Sequence, residues 1–273
     1  MTRATWGDVL AFAALTLGAL AMIGPFVWMI STSLKPLSEQ FDMALIPRSP
    51  TLENYPRLFQ IMPFHLMIWN SFKIAAISVA GQLLTCSMAA FIFAVVRFPG
   101  RNILFVLLLV TLMVPGQVTV IPQFIIFKTL GLYGTQVPLY APAFLGGAFG
   151  TFLMRQYFLT IPIELAEAAR IDGASLSRIF FTIYLPLSKP ALAAFAIFAF
   201  LFSWNDLFSA LIYLPSDAEK TTLTVGLALF QTQYGGQWTL MMAAALISVA
   251  PIIIAFFLAQ RHFIQGIAMT GFR

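Results

Sequence analysis

Charge is what this sequence has least of: 9% of its residues are Asp, Glu, Lys or Arg, against roughly a quarter in a soluble domain. With 60% of its residues hydrophobic, a water-soluble fold would leave large apolar patches uncovered. That excludes an ordinary soluble protein and makes the bilayer the natural solvent. There is one cysteine, Cys86, so no intrachain disulfide can form. Cys86 sits in an apolar run and reads as a packing residue. The two histidines, His65 and His262, fall near opposite faces of the membrane in the topology below. They cannot share a metal, and no H-E-x-x-H accompanies them. No G-x-x-x-x-G-K-[ST] loop is present, so this chain does not cradle ATP phosphates in that way. The net charge of +5 needs no nucleic acid to explain it, because Lys and Arg collect on the inner side of membrane proteins.

What is present is a series of long apolar runs. A spanning helix needs about 20 mostly apolar residues. Six segments qualify, at 9–30, 74–96, 103–127, 137–154, 191–214 and 238–260. The first lacks a small-residue cleavage pattern and reads as an anchor. Pro115 and Pro122 predict a kink or break in the third. Gly146, Gly147 and Gly150 in the fourth suit close helix packing. The fold class expected is all-α, one polytopic domain spanning 1–273 with six transmembrane helices.

Six spans place both termini on one side. With that side inside, the inner segments hold nine bases and four acids, and the outer ones six of each. The short loop Arg97-Phe98-Pro99-Gly100-Arg101 is the clearest inner segment by the positive-inside rule. The expectation is therefore cytoplasmic termini, with 35–70 and 215–237 outside and 160–189 in the cytoplasm.

The 160–189 segment is a polar insert between spans four and five. Thr160 can cap a helix and Pro162 suits its first turn. Glu164 then falls at the positive end of the helix dipole. Ile161, Leu165, Ala168 and Ala169 recur at helical spacing, and Glu167 and Arg170 are placed to pair. Asp172-Gly173 reads as a helix stop, with glycine free to take a positive φ. Ser175 can cap a second helix whose apolar stripe is Leu176, Ile179, Phe180 and Ile183. Pro186 is expected to end it, and Pro190 to open the fifth span.

Glu167-Ala168-Ala169, three residues, Gly173, nine residues, then Ile183-x-Leu185-Pro186 resembles the EAA motif of ABC importer permeases at every position. Phe98-Pro99-Gly100-Arg101, Trp204-Asn205-Asp206, and Gln260-Arg261 with Gly266 are similar to the carbohydrate-uptake branch, with its maltose-type and glycerol-phosphate-type permeases. The resemblance covers nearly the whole chain. It implies an ATP-driven importer of a sugar or sugar-like solute in the bacterial inner membrane, and a transport subunit rather than an enzyme. The insert would be a coupling loop docking on a nucleotide-binding subunit through Glu167, Ala168, Ala169, Asp172 and Gly173. The partners implied are two ATP-binding subunits carrying the ATP and Mg, a second related permease and an extracytoplasmic binding protein. No nucleic acid is expected.

Polar side chains inside spans carry weight because hydrocarbon cannot solvate them. Gln82, Thr85 and Ser87 in span two, and Thr111, Gln117, Thr119 and Gln123 in span three, read as interhelical hydrogen bonding or as a pore lining. Asp206 in span five, with Asn205, either lines the pathway or marks a helix break. Asn205, Asp206 and Gln117 are the pathway candidates. The alternatives are a permease for another organic solute (glycerol phosphate or an amino acid), a secondary transporter, and an intramembrane enzyme. The enzyme lacks a nucleophile–base pair or a metal set.

Overall fold

The computed structural model describes residues 6–214, 217 and 219–270. All regular structure among them is helical. In chain order, α1 (Trp6–Ser33) and α2 (Asn54–Ile61) precede the long α3 (Phe64–Val95). Next come α4 (Arg101–Val110), α5 (Gly116–Thr129), α6 (Val137–Tyr140) and α7 (Ala148–Phe158). The insert holds α8 (Glu164–Ile171), α9 (Leu176–Ile179) and α10 (Leu185–Leu187). α11 (Lys189–Trp204), α12 (Phe208–Tyr213), α13 (Leu223–Tyr234) and α14 (Trp238–Thr270) follow.

Among the described residues, four stretches are long and apolar enough to cross a membrane: Trp6–Ser33, Phe64–Val95, Val137–Phe158 and Trp238–Phe257. Two more are helix pairs bent at a break, Arg101–Met113 with Gly116–Thr129 at 96° and Leu176–Leu187 with Lys189–Trp204 at 81°, and counting each pair as one span gives six.

The breaks have local causes. Val114 is extended (φ −83°, ψ 114°), the conformation favoured before a proline, and the third span breaks at Pro115. Pro122 stays inside α5. Gly146, at φ +80°, separates α6 and its following turn from α7. The freed backbone there is bonded, since the Gly147 N–H donates to Cys86 Sγ at 3.1 Å. Cys86 is thus a partner as well as packing. A Cβ at Gly150 would lie 2.0 Å from Phe195 Cζ, so α7 and α11 meet closely only because Gly150 has none.

The span limits differ from the apolar runs where polar groups find partners. α3 begins at Phe64 rather than at 74, carrying Asn70 and Ser71 into the protein. Asn70 donates to the Glu219 and Thr221 carbonyls, and Ser71 Oγ accepts the Leu223 N–H at 2.8 Å. The fifth run does not reach 214 as one helix, because α11 stops at Trp204 and α12 resumes at Phe208. α14 runs on past 260. The Gln260-Arg261 and Gly266 side chains, and Arg3 and Arg273, lie outside the described residues.

The chain divides into two compact units. In the first, Met1–Phe64 with Gly226–Ala250, α1 is apolar and exposed except at its end, where Ser31, Thr32 and Ser33 are buried. Asn54 Nδ2 donates to the Ser33 and Lys35 carbonyls at 2.8 Å each. Buried Lys35 reaches the Asp42 carbonyl at 2.6 Å and lies 4.9 Å from the Trp28 ring centre.

In the second unit, His65–Val225 with Pro251–Arg273, the core joins α3, α7, α11 and the insert. Ala90, Phe91, Met154, Phe158, Tyr184 and Phe195 are among its buried residues. Arg155 lies 4.2 Å from the Phe105 ring centre, and its Nε donates to the Phe93 carbonyl at 3.1 Å. That satisfies a last-turn carbonyl of α3 at the negative end of its dipole.

Candidate coupling site

The insert is two helices around a glycine elbow, and its hydrogen bonds show why the chain turns there. Thr160 does not cap α8: its hydroxyl donates back to the Tyr157 carbonyl at 2.7 Å. Pro162 lies before the helix, and its carbonyl accepts the Leu165 N–H. Glu164 and Glu167 do occupy the first turn, where the dipole favours them.

The stop at Gly173 is a Schellman motif. The Ala174 N–H reaches the Ala169 carbonyl at 2.9 Å and the Gly173 N–H reaches Arg170 at 3.0 Å. Gly173 sits at φ +80°, which L side chains resist. Ser175 then caps α9, its Oγ accepting the Arg178 N–H at 3.2 Å.

The second helix does not end at Pro186. It passes through a π turn at Phe180–Tyr184, in which the Leu185 N–H reaches the Phe180 carbonyl, and Pro186 sits in the first turn of α10. Proline has no N–H and its ring clashes with the carbonyl four residues back. Widening the helix just before it removes that clash and keeps the chain helical to Leu187.

The inner face of the insert is fixed to the spans. Ala166 is 1% exposed, and Ile179, Phe180 and Tyr184 are buried. The Phe91–Tyr184 and Phe158–Tyr184 rings meet edge-on at 5.1 and 5.5 Å. Tyr157 Oη donates to the Leu187 carbonyl at 3.3 Å. The buried face of α8 therefore centres on Ala166 and Ala169, not on Leu165 and Ala168. Leu176 is likewise exposed, and the buried stripe of the second helix starts at Ile179.

The outer face is left uncovered. Leu165, Ala168, Ile171 and Leu176 face out beside Glu167, Asp172 and Gly173. Ile171 is 88% exposed, a large apolar side chain at the tip of a polar elbow. Glu167 and Arg170 make no ion pair. Both instead line a groove of about 210 Å³ together with Val95, Val96, Arg97 and Ile163. Nothing blocks approach at the elbow, since a Cβ built on Gly173 meets no atom within 4 Å.

The pathway candidates are not brought together. Gln117 is exposed on the first turn of α5 and shares no hydrogen bond with Asn205 or Asp206. Those two stand at the break between α11 and α12. Asn205 Nδ2 donates to the Leu201 carbonyl at 2.9 Å, closing α11, and Asp206 Oδ1 accepts the Ser209 N–H at 3.0 Å, capping α12. Sequence reasoning weighed this break and missed the caps. An Asp three residues before Ser209 was the available signal.

Among known proteins, the chain is 35% identical over 272 residues to the arabinooligosaccharides transport system permease protein of Halalkalibacterium halodurans, covering 98% of this chain and 96% of that one. It is 33% identical over 270 residues to the sn-glycerol-3-phosphate transport system permease protein of Yersinia enterocolitica, covering 95% of each. Among solved structures it resembles a chain of a bacterial ABC transporter involved in the import of the acidic polysaccharide alginate. There the TM-score is 0.82 at 24% identity, over 96% of this chain and 100% of that one. With the Glu167–Pro186 motif folded as an elbow, and a family profile matching residues 82–269, the chain belongs to the family of binding-protein-dependent transport system inner membrane components.

Proposed function

We propose that this permease couples ATP hydrolysis on a partner subunit to movement of its spans through the 160–189 insert. The observation that carries this is the two-sided elbow. Its inner face is buried against α3, α7 and α11, while its outer face offers Leu165, Ala168, Ile171 and Leu176 with nothing over them. A loop transmits motion only if it is stiff, docked on one side and joined to the helices it moves on the other. The Schellman stop, the Ser175 cap and the buried aromatic cluster supply the stiffness.

In this reading the insert and both termini face the cytoplasm of a bacterial cell. Two ATP-binding subunits hold ATP and Mg, a second related permease completes the pathway, and an extracytoplasmic binding protein delivers solute. The solute is a sugar or sugar-like molecule. Gln117, Asn205 and Asp206 are assigned to the pathway in this reading; they bring one acid and no base, which suits a neutral hydroxylated solute better than a phosphate. They stand at helix breaks, where irregular backbone at membrane depth needs protein or water beside it.

The test is reconstitution of the four-component transporter in proteoliposomes. Uptake of labelled arabino-oligosaccharide that needs ATP and the binding protein is the expected result. Uptake of glycerol 3-phosphate alone would reassign the solute, and ATP-independent uptake would remove the coupling role.

A further inference from the structure

We propose that the turn between α3 and α4 is a binding site for the phosphate headgroup of an anionic lipid. A pocket of about 340 Å³ opens there, lined by Arg97, Phe98, Gly100, Arg101, Asn102 and Ile103. Pro99-Gly100 makes the turn that shapes it, with Gly100 at φ +80° and the Arg101 N–H on the Phe98 carbonyl. Two arginines line one open pocket, and neither has an ion-pair partner among the described residues. Arg101 spends one N–H on the Val96 carbonyl at 3.4 Å. Glu167, which shares a groove with Arg97, makes no ion pair with it. Beside the pocket, α4 starts without a side-chain cap, so the Asn102 and Ile103 N–H groups add to an already cationic cavity.

The surroundings point to a lipid rather than a soluble anion. α4 leaves the pocket as an apolar helix whose Ile103, Leu104 and Leu107 are all exposed, and it is the first half of a candidate span. A cationic cavity at the end of an exposed apolar helix matches a headgroup with its acyl chains alongside. The outer face of the elbow, by contrast, lies on α8 and α9. The proposal does not depend on the transported solute or on coupling.

The test uses the assembled transporter extracted from nanodiscs of equimolar phosphatidylglycerol and phosphatidylcholine, with the retained lipid measured by native mass spectrometry. Wild type should retain phosphatidylglycerol preferentially, by about fivefold for each arginine. Arg97→Gln with Arg101→Gln should bring the ratio to that of the bulk disc. Arg97→Lys with Arg101→Lys should restore most of the preference, which a folding defect would not. Arg178→Gln, an exposed base on the elbow, should leave it unchanged. Equal retention in wild type and the double glutamine variant overturns the site. So does an equal loss in Arg178→Gln, which would make the effect one of overall charge. Stripping of the lipid by millimolar inorganic phosphate would show a free-anion site and overturn the lipid assignment. Loss of the ATP-binding subunit with lipid retention intact would assign the pocket to protein docking instead.

Discussion

Gly173 is the residue on which the elbow turns, and a graded series there separates backbone geometry from partner contact. At φ +80° a Cβ faces open space, so the folded chain raises no steric objection of its own. The cost is conformational, roughly 1–2 kcal/mol for an L residue in the left-handed region, with Asn easier and a β-branched residue harder. A loss of that size shifts the population of the intact elbow by about 5- to 30-fold. Two hydrogen bonds, Ala174 to Ala169 and Gly173 to Arg170, go with it. We expect membrane insertion to be unchanged in all variants, and recovery of the ATP-binding subunit on co-purification to fall in the order Gly, Asn, Ala, Val. Solute-stimulated ATP hydrolysis and uptake, measured in parallel, should follow the same order. Wild-type recovery and uptake in Gly173→Val would refute the role of the elbow. Equal failure of Asn and Val would show that the partner excludes any side chain, whatever its φ.

Gly150→Ala forces the buried Phe195 ring to move by more than an ångström from a Cβ built 2.0 Å away. The overpacking should cost about 1–3 kcal/mol, lowering the melting temperature in detergent, and Phe195→Leu in the same chain should recover most of it. Asp206→Asn keeps an acceptor for the Ser209 N–H, so stability should hold while the KM for uptake changes. Asp206→Ala should also lose about 1 kcal/mol of cap, and unchanged uptake in both would end the pathway role. In a Cys86→Ser background, a cysteine at Ser177 should resist an impermeant thiol reagent in intact cells and react after permeabilisation. Labelling in intact cells would invert the topology.

The all-helical fold and the elbow were readable because they rest on local rules. Gly173 after Asp172 stops α8, and Ser175 restarts the chain, as short-range hydrogen bonding dictates. The span limits were less readable, since a window of apolarity averages over breaks. Gly146 interrupts its run with little change in mean hydropathy, and the break at Asn205 and Asp206 is diluted by the apolar residues on either side. The π turn depends on Pro186 meeting a buried aromatic cluster drawn from α3 and α7, which no local pattern contains. Lys35 opens the 35–70 segment expected outside the membrane. It is buried because the fold brings the Asp42 carbonyl and the Trp28 ring to its ammonium. The Glu167–Arg170 pair is absent because an exposed i,i+3 pair is worth only about 0.2–0.5 kcal/mol, too little to order two long side chains.

The most direct test of the central claim is a photo-crosslinking amino acid at Ile171 in the assembled transporter, compared with one at Leu145. Both positions are 88% exposed, but only Ile171 lies on the elbow. The Ile171 probe should capture the ATP-binding subunit, and the Leu145 probe should not. Capture from Leu145 with none from Ile171 would contradict it.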